Sequence, residues 1–304
     1  MRYVVGYAAT ERGRDALNLA CALARSQGAS LDLVMIDPEQ SPYAAVYPPE
    51  RSYATLLAEQ LGAWLDEALA MVPEDIEARG HIRAADSDAR GLIDAAAEFG
   101  AGLIVVGAGS NGLFKRYTVG SVANALLHAA HVPVALAPYG YSRTDPITRV
   151  TCAVGERRGA EDVLEVGAAS AAQRGLPLRL LSLVALASSE SAALDEARLH
   201  VADRVAKAET LTRGRCQVTG EVAQGRTIEN AVDNLDFEDG EIFIIGSSRL
   251  ALHNQLFLGT TASKVLRSLP VPMVVVPRGY MGTPSTAGTA ERPAAPAPQT
   301  GEPQ

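Results

Sequence analysis

"VVGAGSNGLFKRYTVGSVANALL", residues 105–127, and "IIGSSRLALHNQLFLGTTASKVL", residues 244–266, are two versions of one pattern. In each, an apolar run ends on a glycine (Gly107, Gly246), twelve residues follow, and a second glycine (Gly120, Gly259) precedes a hydroxyl residue (Ser121, Thr260). Apolar residues at helical spacing come next, so the pattern predicts a buried strand, a loop and a helix opening at the glycine. Each copy then runs into a second repeat, "VPVALAPYGY" at 132–141 and "VPMVVVPRGY" at 271–280. The chain therefore reads as a tandem duplication.

The segments around these repeats alternate in period. Tyr3 to Tyr7 predicts a buried strand, Glu11 to Gln27 a helix, Leu31 to Ile36 a strand, Ser52 to Met71 a long helix after a Pro- and Tyr-rich loop at 38–50, and Ile76 to Ile82 a strand. A helix over Asp88–Phe99, a strand over Leu103–Val106, a helix over Val119–Ala130 and a last strand at Val134–Ala137 complete the first half. The second half predicts the same order: strands at Val150–Val154, Leu178–Leu183, Cys216–Val222, Ile242–Ile245 and Met273–Val276, with helices at Ala160–Arg174, Ser191–Thr212, Ile228–Leu235 and Thr260–Leu269. Strands separated by helices of this length pair in parallel through right-handed crossovers, which gives a doubly wound α/β sheet in each half. The predicted domains are 1–141 and 146–280, joined by a polar hinge at Ser142–Pro146. Residues 281–304 hold too few large apolar side chains to fold and are expected to be disordered.

Composition narrows the functions. The 304 residues are 47% hydrophobic, 20% charged and only 5% aromatic, so the cores are aliphatic. A net charge of −8 argues against a nucleic-acid or anionic-membrane partner, because such surfaces need clustered cations. No apolar run reaches the roughly 18 residues of a membrane helix, and MRYVVGYAAT lacks the apolar stretch of a signal peptide. The expectation is a soluble cytoplasmic protein. Cys21, Cys152 and Cys216 are odd in number and set in apolar segments, which predicts reduced core thiols.

The glycines after the fourth strand carry the candidate chemistry. A helix start presents unsatisfied amides and the positive end of its dipole, and a glycine lets an anion approach the backbone closely. Gly107, Gly109, Ser110, Gly112, Gly120 and Ser121 thus form a candidate phosphate cradle in the first half, with Lys115 and Arg116 as nearby cations. Gly246, Gly259 and Thr260 are the second-half counterparts, without glycines between them.

The Gly–loop–Gly–Ser/Thr turn, the topology, the duplication and the Val-Pro-apolar last strand together resemble the universal stress protein family, over residues 1–280. The resemblance implies strand order 3-2-1-4-5, ATP binding in some members, with Mg²⁺ accompanying it, and pairing of domains through their last strands. Here that pairing would join Val134–Ala137 to Met273–Val276 within one chain; a homodimer is a further assembly the family allows. The chain departs from the family motif in four places. The motif's second glycine falls at Ser110 and Arg249, and the aspartate that ATP-binding members place after the first strand is Ala8 here and Gly155 in the second half.

Other matches carry less. GAGSNG at 107–112 fits the dinucleotide fingerprint G-x-G-x-x-G, but it follows the fourth strand and no acidic residue occurs between Gly112 and Asp145. Ser121 and His128 lack an acidic neighbour in sequence and read as a helix cap and an ordinary histidine, and no histidine pair has metal-ligand spacing. No catalytic residue is assigned. The sequence points to a stress-response factor binding ATP or another adenine nucleotide in its first half, with a partner-binding protein with degenerate sites, or a slow ATP hydrolase, as the rivals.

Overall fold

A computed structural model of the chain describes residues 1–38, 51–110, 117–155, 160–185, 191–248, 251 and 256–280. The first half runs β1 (Arg2–Gly6), α1 (Glu11–Gln27), β2 (Ser30–Pro38), α2 (Arg51–Ala70), β3 (Ala78–Ala85), α3 (Asp88–Phe99), β4 (Leu103–Gly107), a two-residue hairpin of β5 (Gly109–Ser110) and β6 (Tyr117–Thr118), α4 (Ser121–Ala129) and β7 (Val134–Ala137). The second half runs β8 (Arg149–Ala153), α5 (Ala160–Arg174), β9 (Leu178–Ala185), α6 (Ser191–Thr212), β10 (Val218–Gly225), α7 (Ile228–Asp233), β11 (Glu241–Gly246), α8 (Thr260–Ser268) and β12 (Met273–Val276).

Ten strands form one sheet, ordered β10-β9-β8-β11-β12-β7-β4-β1-β2-β3. Counted within each half, the order is 3-2-1-4-5, all parallel. The two halves meet at an antiparallel seam in which Val134 faces Val275, Ala135 faces Val274 and Leu136 faces Met273. The seam makes the two five-stranded sheets continuous. Because it is antiparallel, the C-terminal strand ends of the two halves point in opposite directions.

The inner strands are apolar on both faces, as expected where helices cover a sheet on both sides. β7 and β12 are buried along their whole length. One core lies between the sheet and α1, α2, α5 and α6, and contains Val5, Leu33 and Ala135 from the strands. The other lies against α3, α4, α7 and α8, and contains Val4, Val34 and Val134. Both cores extend through both halves.

The repeated prolines bound the seam. Pro133 O accepts from Ile104 N–H at 3.0 Å and Pro272 O from Phe243 N–H at 2.9 Å, after which the ladder has no further donor on the proline side. Beyond the strands, Gly140 and Gly279 turn the chain at φ 74° and 73°, a region that glycine enters without strain. The same helical position anchors both turns: Asp15 Oδ2 accepts from Gly140 N–H at 3.0 Å, and Asp162 Oδ2 from Gly279 N–H at 2.9 Å. The two tyrosines that end the repeats pack against the first core, and Tyr280 Oη donates to Gly102 O across the seam at 3.1 Å.

Several boundaries differ from the sequence reading. The strands expected at Ile76–Ile82 and Cys216–Val222 lie at Ala78–Ala85 and Val218–Gly225, because their ends follow the ladder partners Pro38 and Ala185 rather than their own apolar pattern. Helix α4 starts two residues later than Val119, since Gly120 is extended. The polar hinge at Ser142–Pro146 is not free: Arg25 Nη1 donates to Thr144 O at 3.0 Å, and just beyond it Ile147 N–H donates to the buried Ser26 hydroxyl at 2.6 Å. The tail at 281–304 and residues 39–50 of the Pro- and Tyr-rich loop lie outside the described residues. No described helix is long and apolar enough to cross a membrane.

Candidate functional site

Strand β4 delivers Gly107 to the end of the first-half sheet, and the first turn of α1 lies directly over it. A side chain on Gly107 would place its Cβ 2.2 Å from the backbone oxygen of Arg12, so only glycine fits. The turn into α1 is itself compact. Thr10 caps the helix by accepting from Gly13 N–H at 3.3 Å, and a Cβ on Gly13 would stand 1.9 Å from Ala8 O.

Gly120 is the N-cap of α4, with φ −66° and ψ 165° and no side-chain cap. Ser121, read from sequence as the cap, is instead the first helical residue, and no acidic residue lies in the first turn. The amides of that turn therefore keep their positive end uncompensated by a side chain. Among the described residues, the nearest heavy atom to an added Cβ on Gly120 is Arg12 Nη1, at 3.5 Å. Arg12 is exposed, so its guanidinium stands at the surface beside the start of α4.

The second half arranges the same turn differently. Gly259 is also an N-cap at φ −74° without a side-chain cap, but an added Cβ would meet Ser248 Cβ at 3.1 Å and Ser248 Oγ at 3.2 Å. Ser248 occupies the place of Gly109, counted from Gly246 and Gly107. Its neighbour Ser247 closes the loop: Ser247 Oγ accepts from Phe257 N–H at 2.7 Å and donates to Phe257 O at 3.2 Å, while Ser248 N–H donates to Phe257 O at 2.8 Å. Among the described residues, Ser248 fills the position over Gly259, while over Gly120 only the Arg12 side chain approaches.

The structure thus brings Gly107, Gly120 and Ser121 together with Arg12, and sets Gly109 and Ser110 in the hairpin strand β5. Gly112, Lys115 and Arg116 of the first loop, and Arg249, Leu250 and Leu252 of the second, lie outside the described residues. Sequence reasoning missed Arg12 and Ser248. Arg12 sits in another helix more than ninety positions from the loop it faces, and only the alignment of Ser248 with Gly109 carried a signal for the latter. Ala8 and Gly155, which stand where ATP-binding members of the family have aspartate, are exposed.

The remaining candidates settle into the scaffold. His128 Nδ1 lies 2.7 Å from Asn124 O and its ring meets Phe257 edge-on at 5.0 Å. His81 Nε2 lies 2.9 Å from the buried Asp32 carboxylate. No group of three or more His, Cys, Asp or Glu able to hold a metal occurs among the described residues. The three cysteines are unbonded to one another. Burial raises the thiol of Cys21 from its ordinary 9.0 to about 11 and pushes those of Cys152 and Cys216 up as well, which keeps them protonated near neutrality. Burial likewise raises the Asp15 carboxyl, against the opposing effect of the Gly140 amide.

This fold and this doubled turn match known proteins throughout. The model of the universal stress protein family matches twice, at residues 1–138 and 146–277. Universal stress protein Rv2319c of Mycobacterium tuberculosis and universal stress protein Mb2346c of Mycobacterium bovis are each 32% identical to the chain over 294 residues, covering 91% of it and all of the relative. A universal stress protein from Archaeoglobus fulgidus has the same fold, with a TM-score of 0.66 at 19% identity over 91% of this chain and 96% of that one. A putative universal stress protein from Pseudomonas aeruginosa aligns with a TM-score of 0.55 at 18% identity, over 91% and 93%. The chain belongs to the universal stress protein family, in a form with two family domains in one polypeptide.

Proposed function

We propose that this protein is a cytoplasmic stress-response factor that senses an adenine nucleotide, ATP foremost and with Mg²⁺, through the first of two domains spanning 1–141 and 146–280. The phosphates would be held by the backbone around Gly107, Gly109, Ser110, Gly112 and Gly120, by Ser121 and by Arg12. The carrying observation is the contrast between the two helix starts. Among the described residues an added Cβ on Gly120 meets only the Arg12 guanidinium, whereas one on Gly259 meets the side chain of Ser248. Positive dipole end, close backbone approach and a guanidinium are what a polyphosphate requires. The second-domain residues Gly246, Gly259 and Thr260 serve as structure in this reading, and no turnover is required.

Thermal unfolding with ATP, ADP and AMP, with and without Mg²⁺, tests it, because a ligand bound only to the folded state stabilises by RT ln(1 + [L]/Kd). At 100 times Kd the expected gain is about 2.7 kcal/mol. Gly120→Ala meets no described atom closer than 3.5 Å and should fold, yet its methyl group would stand in the way of the phosphate and lower the affinity about tenfold, equivalent to ~1.4 kcal/mol. Arg12→Ala should lower it similarly. Absence of any shift, together with no nucleotide retained in native mass spectra, would remove the reading. Ala8 favours the rival, a protein-binding partner with degenerate sites, since an adenine amino group there would meet no carboxylate at that position. Slow hydrolysis, the remaining alternative, would appear as phosphate release that Gly120→Val abolishes.

A further inference from the structure

The loop that closes the second-half site does not end its contacts in its own half. A helix leaves its last four carbonyls without intrahelical donors. For α4, whose first residue follows Gly120, the second half supplies a donor to one of these groups and another to the cap residue: Leu258 N–H donates to Leu127 O at 3.1 Å, and Leu256 N–H donates to Ala130 O, just past the helix, at 3.0 Å. Phe257, between those two residues, meets the His128 ring of α4 edge-on at 5.0 Å. The reverse contact also exists, since α8 packs against β6 of the first-half loop. Each half's loop therefore lies on the other half's helix, and each helix begins at the loop of its own half. Together they close a ring across the seam.

From this ring we infer that the conformation of the second-half segment Leu256–Leu258 regulates nucleotide affinity at the first-half cradle, so that the second domain is a regulatory element for the first. The inference rests on the nucleotide reading above. α4 is nine residues long, so on an ideal rise its two ends are about 13 Å apart and it moves as a short rigid rod. One end bears Gly120 and Ser121, and the other is held by the segment that Ser247 clasps through Phe257. Opening the clasp releases the C-terminal end of α4 and lets its N-terminal amides shift from the place where a phosphate would meet them. Linkage makes the effect reciprocal: nucleotide in the first half tightens the clasp in the second.

The experiment uses the full chain with Ser247→Ala and with Phe257→Ala, neither of which touches the first-half cradle. ATP affinity is measured by equilibrium dialysis, and hydrogen exchange is followed across residues 119–130 and 256–258 without ligand. Leu199→Ala, on an exposed position of α6, is the control. The expected result is at least about fivefold weaker ATP binding in both variants, with faster exchange throughout 121–130, and an unchanged control. ATP bound equally by all forms would overturn the inference and leave the nucleotide reading intact. If no form binds ATP, the nucleotide reading fails and the regulatory inference falls with it, and exchange then reads only the mechanical coupling along α4. Acceleration reaching the residues beside Gly120 sustains it, and acceleration confined to 256–258 overturns it.

Discussion

Glu241 is the residue on which the second half is most exacting. It is fully buried at the start of β11 and accepts from Arg149 Nη2 at 2.5 Å, Arg179 Nη2 at 2.7 Å, the Thr151 hydroxyl and the backbone N–H of Glu238 at 3.0 Å. Arg179 also lies over the Phe237 ring at 5.4 Å from its centre. The corresponding place in the first half is built with opposite signs. Asp32 stands where Arg179 does, pairing with Arg2 at 2.6 and 2.8 Å, and His81 stands where Glu221 does. Removing one member of a buried ionic group leaves the others uncompensated, so Glu241→Ala should cost about 3–5 kcal/mol in urea unfolding, against less than 1 for the exposed Arg198→Ala. A loss under 1 kcal/mol at Glu241 would contradict the network. None of it was legible in the sequence. The side-chain partners of Glu241 sit 62 to 92 positions away, and a lone glutamate before an apolar run reads as a strand boundary. What the sequence did carry at this scale was the glycines, because Gly107 and Gly120 answer to local backbone geometry.

At the scale of elements the seam is the decisive pairing. Its strands were legible to the residue, Val134–Ala137 and Met273–Val276, because proline marks both ends and a continuous apolar run fills the middle. Helices with clear amphipathic spacing were equally legible, Asp88–Phe99 and Ala160–Arg174 among them. The β5–β6 hairpin was not, since two residues on each side have no period to read. The edge strands β3 and β10 were read two residues early because their ends depend on a ladder that only the folded sheet supplies. The seam also predicts the outcome of breaking it. Val275→Pro removes a donor from a strand that faces Val134 and is closed to water, leaving a buried carbonyl at a cost of about 1–3 kcal/mol. Small-angle scattering should then register a larger radius of gyration as the halves part, while far-ultraviolet dichroism stays near that of the parent. An unchanged radius would mean that the helices, not the strands, hold the halves together.

For the whole molecule, the two hydrophobic cores matter more than the two family domains. Each core crosses the seam, Tyr280 reaches Gly102 of the first half, and Gln27 Nε2 donates to Ser170 O at 3.4 Å and Gln173 Nε2 to Gln27 O at 3.1 Å between α1 and α5. Neither half buries its last strand alone. The chain should therefore melt in one calorimetric transition whose van't Hoff and measured enthalpies agree, rather than in two. Two resolved transitions would show that the halves are thermodynamically separate. The duplicated order of elements predicted the architecture and the family resemblance predicted which edges meet; the antiparallel register of that seam is what makes a single ten-stranded sheet of them.

The antiparallel seam has a consequence for inheritance. Two identical subunits joined about an axis must accept every substitution in duplicate, so a change that suits one side is imposed on the other. Fusion into a single polypeptide lifts that rule, and the copies can drift apart while remaining matched. Arg179 opposite in charge to Asp32, and Ser248 at the position of Gly109, are what such divergence leaves behind: a former pair of equals in which one copy carries a side chain where the other carries none.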